Sequence, residues 1–401
     1  MTAAPARAGA DAGTSWPRVF VLLTAGVFAA FHIGKLPGQL GALSRELDLS
    51  LTQAGALVSL FNLIAAVFGV ALGLLVDRVG PLRAAIGGLA LGGAASVLGA
   101  MAQGFGLLIA MRCVEGFGFL LTVTAAPAIL VGETAAADQR KALGLWSTYM
   151  PAGMAASLAA SGAIADLGGW RLVWQVVAAL GFAWAVLLWA VFRARPSALA
   201  AGAGRASATS ALRRDPLLLA GAFVGYAGHF LAVMSFLPLL LTEQGGYSDR
   251  AAAGLAALVV AMNIVGNIAS GFVIEAGVTR KQMVIAASLI MAACSLTIFA
   301  SSTPFGLKLA AAFALSGVGG LIPGTLFGAA PFYAERPAMV STIIGLLLQA
   351  AGLGQLVGPV LLAGAVERAG GWQGALFYAL PASALAIVCG ALLRSPATKS
   401  S

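Results

Sequence analysis

Two short patterns place ionisable side chains inside segments that are otherwise apolar. His32, Lys35 and Gln39 follow the spacing i, i+3, i+7. Arg112 and Glu115 follow the spacing i, i+3. On a helix, side chains at these spacings lie on one face. Lys35 and Arg112 are suited to binding an anion. Glu115 and His32 are groups that can exchange protons.

Three more polar side chains are candidates for contact with a small solute. Tyr149 stands two residues before Pro151, whose missing backbone N–H loosens a helix and gives a phenol room to reach a ligand. Tyr226 and His229 are spaced about one helical turn apart. A lone histidine is commonly a packing residue. His229 therefore has two interpretations, a role in binding the solute or a proton and a role in packing.

The segments that hold these residues predict a membrane protein. Of 401 residues, 60% are hydrophobic and 9% are charged, against about 25% charged residues in an average soluble domain. Apolar runs of about 20 residues, enough to cross about 30 Å of hydrocarbon as a helix, recur along the chain. We predict an all-α membrane protein with twelve transmembrane helices, at residues 18–43, 53–76, 84–102, 105–132, 141–165, 171–193, 216–242, 251–275, 282–300, 305–332, 338–366 and 372–394.

At these positions the charged groups lie within the membrane, where a charge commonly faces a partner or a water-filled cavity. Counted at about 1.5 Å per residue, Lys35 and Arg112 lie at about the same depth. Structural explanations stand beside the functional ones. Arg112 and Glu115 can form an ion pair that only stabilises the fold, and Lys35 can extend towards the membrane surface. The polar face of helix one can also serve interhelical hydrogen bonds.

The basic residues predict the orientation of the helices. With the N-terminus in the cytoplasm, most of the 23 Lys and Arg residues fall in cytoplasmic segments and helix ends, as the positive-inside rule requires. We therefore expect a multi-pass protein of the bacterial inner (plasma) membrane with both termini cytoplasmic. The net charge of +9 is spread over short breaks, so we expect no nucleic-acid partner. The three cysteines lie in apolar runs, and we expect no metal site and no cofactor.

The chain repeats itself after about 200 residues, as transporters built from parallel repeats do. The segment GLLVDRVGPLR at 73–83 has a weaker copy, GFVIEAGVTRK, at 271–281. Gly116 and Gly118 recur as Gly317 and Gly319. We predict a cytoplasmic N-terminal tail at 1–17, an N-terminal six-helix bundle at 18–193, a cytoplasmic linker at 194–215, a C-terminal six-helix bundle at 216–394 and a C-terminal tail at 395–401.

Two motifs carry a resemblance to a known family. Gly73-x-x-x-Asp77-Arg78-x-Gly80-x-x-Arg83 is similar to the loop signature between helices two and three of the major facilitator superfamily. Arg112-x-x-Glu115-Gly116-x-Gly118 resembles its helix-four signature, with Glu where Gln is more usual. The resemblance implies twelve helices in two six-helix pseudo-repeat halves that work by alternating access. The composition of helices one, five and seven resembles the branch of cyanate and nitroimidazole-type permeases.

The resemblance also implies where these residues act. Helices one, four, seven and ten line the central cavity in this superfamily, so Lys35 and Arg112 are expected to meet there. Asp77 lies at the cytoplasmic end of helix two, and Glu275 occupies the matching place in the second copy. Together with Arg78 and Arg83, we expect these residues to gate the cytoplasmic side. The arginines also have a simpler interpretation, in which they only set the orientation.

The repeat provides an internal comparison for the proposed anion site. Lys35 corresponds to Met234, His32 to Leu231 and Arg112 to Phe313. The repeated fold therefore does not require these polar groups. Two cations 4 to 8 Å apart repel by roughly 2 to 4 kcal/mol at an effective dielectric constant near 20. A bound anion, or Glu115, would relieve that repulsion.

These observations predict a monomeric secondary active transporter in the lipid bilayer that takes up a small anion together with protons. No P-loop signature accompanies the helices, so a gradient must supply the energy. Proton-coupled export of a drug or metabolite is the alternative. The helix-four signature favours export, but Tyr149-Met150-Pro151-Ala-Gly153 lacks the glycine that precedes proline in antiporters. A membrane-embedded enzyme or a sensor is a third alternative, for which two histidines and one intramembrane glutamate supply few catalytic groups.

Overall fold

The computed structural model describes residues 13–135, 137–138, 142, 145–146, 148–193, 213–333 and 340–394. Of residues 70, 71, 73, 74, 77, 331 and 340–342 it describes the backbone alone. The predicted C-terminal tail lies outside the described residues, as do most of the predicted N-terminal tail and most of the predicted linker.

All regular elements in the described part of the chain are helices. Their bounds are α1 Trp16–Gly34, α2 Leu40–Leu47, α3 Leu51–Ser59, α4 Leu63–Val79, α5 Pro81–Ala100, α6 Phe105–Gly132, α7 Tyr149–Phe192, α8 Arg214–Gly245, α9 Asp249–Glu275, α10 Arg280–Phe299, α11 Phe305–Gly319, α12 Leu321–Tyr333, α13 Val340–Ala369 and α14 Leu376–Leu392. Turns of 3₁₀-helix lie at Pro37–Gln39, Leu60–Asn62 and Trp372–Ala375.

Eleven helical segments among the described residues are long and apolar enough to cross a membrane. One of them is α7, whose 44 residues would extend about 66 Å at 1.5 Å per residue, twice the hydrocarbon thickness. The backbone of α7 leaves helical geometry at Gly168 and at Gly169, where φ is +70°. Glycine adopts that left-handed conformation without steric cost. The kink separates residues 149–167 from residues 170–192, near the two segments that hydropathy predicts as separate helices.

Local sequence determines where several helices begin. Ser50 caps α3 and Thr279 caps α10, each in a capping box with a glutamine three residues later. Ser248 caps α9 by accepting from the Ala251 N–H. Gly80, with φ of +93°, reverses the chain before Pro81 begins α5. These caps satisfy backbone N–H groups that have no partner within the helix.

Two predicted helices are interrupted in the structure. The segment predicted as continuous from 18 to 43 ends as α1 at Gly34 and resumes through a 3₁₀ turn that starts at Pro37. Proline has no N–H to continue the α-helical hydrogen bonding, which explains the break. The segment predicted from 53 to 76 contains the 3₁₀ turn Leu60–Asn62 between α3 and α4. Both interruptions border the charged side chains described below.

Hydrogen bonds between residues near the helix ends distinguish the two ends of the bundle. At one end, which we call the Glu46 end, Glu46 binds Trp170 and Arg171, and Glu243 binds Trp372. At the other, the Glu133 end, the Ser15 N–H donates to Glu133 O. The Trp170–Glu46 and Trp372–Glu243 hydrogen bonds, 2.7 and 2.8 Å long, join equivalent positions of the sequence repeat. The two copies therefore use the same contact at the same end.

The N-terminal part (residues 13–193) and the C-terminal part (residues 213–394) meet along α3 with α13 and along α7 with α9. At the Glu46 end, Glu367 accepts from the N–H and the hydroxyl of Thr52. Arg250 pairs with Asp166 at 3.3 Å, and Arg45 pairs with Asp249 at 3.0 Å. These contacts hold the two parts together at this end.

Candidate functional site

The charged residues of α1 and α6 converge on one carboxylate. Glu115 Oε1 lies 2.5 Å from Lys35 Nζ, and Glu115 Oε2 lies 2.6 Å from Arg112 Nη1. His32 Nδ1 lies 3.4 Å from Glu115 Oε1. Lys35 and Glu115 are fully buried, and Arg112 and His32 are 1% and 3% exposed. We call these four residues the Glu115 cluster.

Lys35 is held by groups from three other helices. Its ammonium donates to Glu115 on α6 and, at 2.6 Å, to Ser96 Oγ on α5. Ser96 Oγ in turn donates to Trp174 O on α7. The ammonium lies 3.6 Å from the centroid of the Trp174 ring, a cation–π contact. Two hydrogen bonds and one cation–π contact therefore compensate for the burial of the Lys35 ammonium.

Arg112 binds backbone carbonyls where two helices are interrupted. Arg112 Nε donates to Leu57 O at 3.1 Å, and Nη1 donates to His32 O at 2.7 Å. Leu57 lies just before the 3₁₀ turn of the α3–α4 segment, and His32 just before the break at Pro37. The guanidinium also lies 4.6 Å from the Phe61 ring. Arg112 therefore fastens both interruptions to α6.

Glycine allows α6 to approach this region closely. A Cβ atom on Gly116 would overlap Phe61 O. Gly116 directly follows Glu115, so the close approach brings the carboxylate and the α3–α4 break into one layer. The glycine of the Arg112-x-x-Glu115-Gly116 pattern therefore has a physical reason. Any larger side chain at Gly116 would push α6 away from the turn between α3 and α4.

Lys35 and Arg112 approach one another through a shared partner, Glu115, which is the acid that the sequence analysis named as one way to relieve their repulsion. The acid that balances Lys35 comes from α6, although no acid lies within a turn of Lys35 on its own helix. The described contacts of the cluster all come from residues 32–174, so the cluster lies within the N-terminal part. That the two cations meet in the central cavity stays a prediction.

The cluster carries unequal charges. Two cations face one carboxylate, and with His32 neutral the sum is +1. His32 Nδ1 has no hydrogen-bond partner among the described residues, although it lies close to Glu115. A carboxylate in this position can exchange a proton or be displaced from its cations by another anion. No group of three or more His, Cys, Asp or Glu residues that could hold a metal ion occurs in the described part of the chain.

The remaining predicted residues lie apart from the cluster. Gln39 donates to Ser161 O on α7, because the break at Pro37 separates it from His32 and Lys35. Tyr149 stacks on Trp146, with ring centroids 4.7 Å apart.

Two predicted residues of α8 also lie elsewhere. His229 has Ser295 at one ring nitrogen and Ser383 at the other, and both of its interpretations, binding and packing, stay predictions. Tyr226 accepts from Asn263 at 3.0 Å, within the C-terminal part.

The predicted gating residues are not part of the cluster. The backbone of Asp77 lies in α4, and its side chain lies outside the described residues. Arg78, Arg83 and Glu275 are exposed near the ends of α4, α5 and α9. Sequence reasoning missed Ser96, Trp174 and Phe61, which line the cluster. Neither the type nor the spacing of these residues distinguishes them from other small or aromatic residues in apolar helices.

Sequence and fold together assign the chain to a superfamily. The sequence model of the Major Facilitator Superfamily matches residues 21–351. The chain belongs to this superfamily. It is therefore a multi-pass membrane transporter and not an enzyme. No curated protein sequence matches this chain.

Solved structures of Major Facilitator Superfamily transporters share the fold. A bacterial homologue of the human lysosomal transporter Spinster, inward-facing and occupied, aligns with a TM-score of 0.75 at 17% identity, covering 94% of this chain and 94% of that chain. An inward-facing and unoccupied structure of such a homologue aligns with a TM-score of 0.76 at 17% identity, covering 94% of this chain and 98% of that chain. A D-xylose–proton symporter aligns with a TM-score of 0.76 at 14% identity, covering 96% of this chain and 98% of that chain. At these identities the likeness concerns the fold alone.

Proposed function

We propose that this transporter takes up a small anion together with protons by alternating access. The observation that supports the proposal is the Glu115 cluster, in which one buried carboxylate is shared by two buried cations. Such a cluster is costly to bury, and the second copy of the repeat lacks it. The free-energy cost of burying these charges is explained if Lys35 and Arg112 change partners during transport.

The proposed coupling is an exchange of partners on Lys35 and Arg112. A proton from the side of uptake binds the Glu115 carboxylate, directly or through His32, whose Nδ1 is 3.4 Å away. Neutral Glu115 then leaves the two cations without a counter-charge. The anion takes its place, so proton and anion enter together. On the opposite side, release of the proton restores Glu115 as the partner and expels the anion.

We propose that the anion reaches the cations at the breaks that follow α1 and α3. Arg112 binds backbone carbonyls beside both breaks, where regular α-helical hydrogen bonding ends. A guanidinium and an ammonium can hold a carboxylate or a similar oxyanion with charge-assisted hydrogen bonds. Gln39, Tyr149 and Tyr226 are proposed to contact the solute in other conformations of the transport cycle.

The topology we propose counts α7 as two crossings, which gives twelve helices in two six-helix halves at 18–193 and 216–394. The Glu133 end, both termini and the linker face the cytoplasm in a bacterial inner membrane, and the transporter acts as a monomer. Asp77, Arg78, Arg83 and Glu275 belong to the proposed cytoplasmic gate. Within the superfamily we propose the branch of cyanate and nitroimidazole-type permeases.

A thermal-shift screen of the purified protein tests the proposed substrate charge. A ligand that binds the folded state raises the melting temperature by mass action. Small carboxylates and inorganic anions are compared with neutral amides and amines of the same size, at constant ionic strength. We expect the anions alone to raise the melting temperature, and more strongly at low pH. Stabilisation by amines, with none by anions, would contradict the proposal.

A further inference from the structure

A line of aromatic rings extends from the Arg112 guanidinium. The guanidinium lies 4.6 Å from the Phe61 ring, and the Phe61 ring lies 5.3 Å from the Phe119 ring. Phe119 in turn lies 6.3 Å from Tyr149, which stacks on Trp146 at 4.7 Å. The three ring–ring values are centroid distances within the range of aromatic pairs. We call Phe61, Phe119, Tyr149 and Trp146 the aromatic line.

Burial along the aromatic line is uneven. Phe61, next to Arg112, is 2% exposed, whereas Phe119 and Tyr149 are half-buried. Phe119 packs against both hydrophobic clusters of the protein, one confined to the N-terminal part and one shared with the C-terminal part. It therefore lies at the boundary of the two clusters. The two rings in the middle of the line are therefore less buried than the two rings at its ends.

The second copy of the repeat shows that the fold does not require these rings. In the register that pairs Gly116 with Gly317, the positions of the aromatic line hold Met262, Gly320, Leu347 and Ala350. Arg112 corresponds to Phe313 in the same register. Cation and aromatic residues therefore occur together in one copy and are absent together from the other. Such joint asymmetry is expected if both contact one ligand.

We propose that the transported anion is a small aromatic carboxylate, about the size of benzoate. This inference rests on the proposed function and names its substrate class. The carboxylate pairs with Arg112 and Lys35 once Glu115 is protonated, and the ring lies against Phe119 and Tyr149. The Phe61 ring contacts both the guanidinium and Phe119, so only one ring separates the cation from the first half-buried ring. An aliphatic acid would gain the charge contacts but not the ring contacts.

Binding of three acids to the purified transporter by titration calorimetry tests this inference. Benzoate, cyclohexanecarboxylate and acetate share the charge but differ in the ring. We expect benzoate to bind roughly tenfold more tightly than cyclohexanecarboxylate. Phe119→Leu and Tyr149→Leu should each reduce that preference severalfold, whereas Tyr149→Phe, which keeps the ring, should retain it. Phe299→Leu is the matched control, because Phe299 stacks on Trp372 in the C-terminal part, and it should leave the preference unchanged.

The outcomes separate the inference from the proposed function. Equal affinities for benzoate and cyclohexanecarboxylate would overturn the aromatic preference while leaving anion transport standing. If the preference for benzoate is unchanged in both Phe119→Leu and Tyr149→Leu, the aromatic line does not bind the ring, and this part of the inference is overturned. Failure of all three acids to bind, with the protein folded as judged by its melting transition, would overturn this inference, and the proposed function would fall with it only if the inorganic anions of the thermal-shift screen also failed to bind.

Discussion

Glu115 and Lys35 stand on different helices and are 80 residues apart in sequence, yet their charged groups are 2.5 Å apart and fully buried. The same carboxylate binds Arg112 with its other oxygen. The intramembrane charges of the N-terminal part therefore form one unit, and removal of any member changes the environment of the others. A substitution at one of these residues is therefore expected to affect the whole Glu115 cluster.

Glu115→Gln should destabilise the protein and make it depend on anions. The substitution leaves two buried cations uncompensated, and breaking a buried pair in this way typically costs about 3 to 5 kcal/mol. We expect a lower melting temperature in detergent, and a larger rise on adding benzoate than the native protein shows. The double variant with Lys35→Met and Glu115→Gln should recover stability without recovering uptake. An unchanged melting temperature in Glu115→Gln would contradict the arrangement of charges.

Arg112→Lys should fail to restore function although it keeps the charge. Arg112 donates to Leu57 O, His32 O and Glu115, and a lysine ammonium cannot reach three acceptors that are spread around a planar guanidinium. We expect uptake close to that of Arg112→Gln, measured in proteoliposomes at matched protein content. Uptake near the native level in Arg112→Lys would mean that charge alone suffices.

Glu367→Ala should open the Glu46 end. Glu367 binds the N–H and hydroxyl of Thr52 across the two parts, and exposed contacts of this kind contribute about 1 kcal/mol or less. Ser59, whose hydroxyl accepts from the Val360 N–H between the same helices, is the reporter site. In a background without the native cysteines, labelling of Ser59→Cys by an impermeant thiol reagent should rise severalfold.

The control for this opening is Arg171→Ala. Arg171 pairs with Glu46 at the same end but within the N-terminal part, so its loss should leave labelling of Ser59→Cys unchanged. Equal labelling in Glu367→Ala and the parent protein would show that the Thr52–Glu367 contact does not hold this end closed.

Labelling of whole cells tests the orientation. Ser248→Cys should react with an impermeant reagent added from the periplasmic side, and Arg205→Cys should react only after the cells are permeabilised. The physical reason is the excess of Lys and Arg at the Glu133 end. The reverse pattern would place both termini outside.

Sequence reasoning recovered what depends on local spacing and missed what depends on packing. The i, i+3 spacing predicts the Arg112–Glu115 pair, and hydropathy predicts most helices, since both depend on neighbours along the chain. The Lys35–Glu115 contact depends on which face of α1 meets α6, and no spacing within α1 reveals that. His229 contacts Ser295 and Ser383 on distant helices, and no spacing along α8 predicts these two partners. Gln39 left the expected polar face because Pro37 breaks the helix.

The most direct test of the account measures proton entry and anion uptake together in proteoliposomes that contain a pH-sensitive dye. With the native protein, external benzoate at acidic outside pH should acidify the lumen faster than in protein-free liposomes, which report the passive entry of benzoic acid, because each anion replaces Glu115 only when that residue is protonated. The Glu115→Gln variant resembles the protonated state permanently. It should bind benzoate and exchange labelled for unlabelled benzoate across the membrane faster than protein-free liposomes do, without acidifying the lumen beyond the protein-free rate. Acidification above the protein-free rate that persists in Glu115→Gln at the native ratio of protons to benzoate would contradict the central claim that Glu115 couples the proton to the anion.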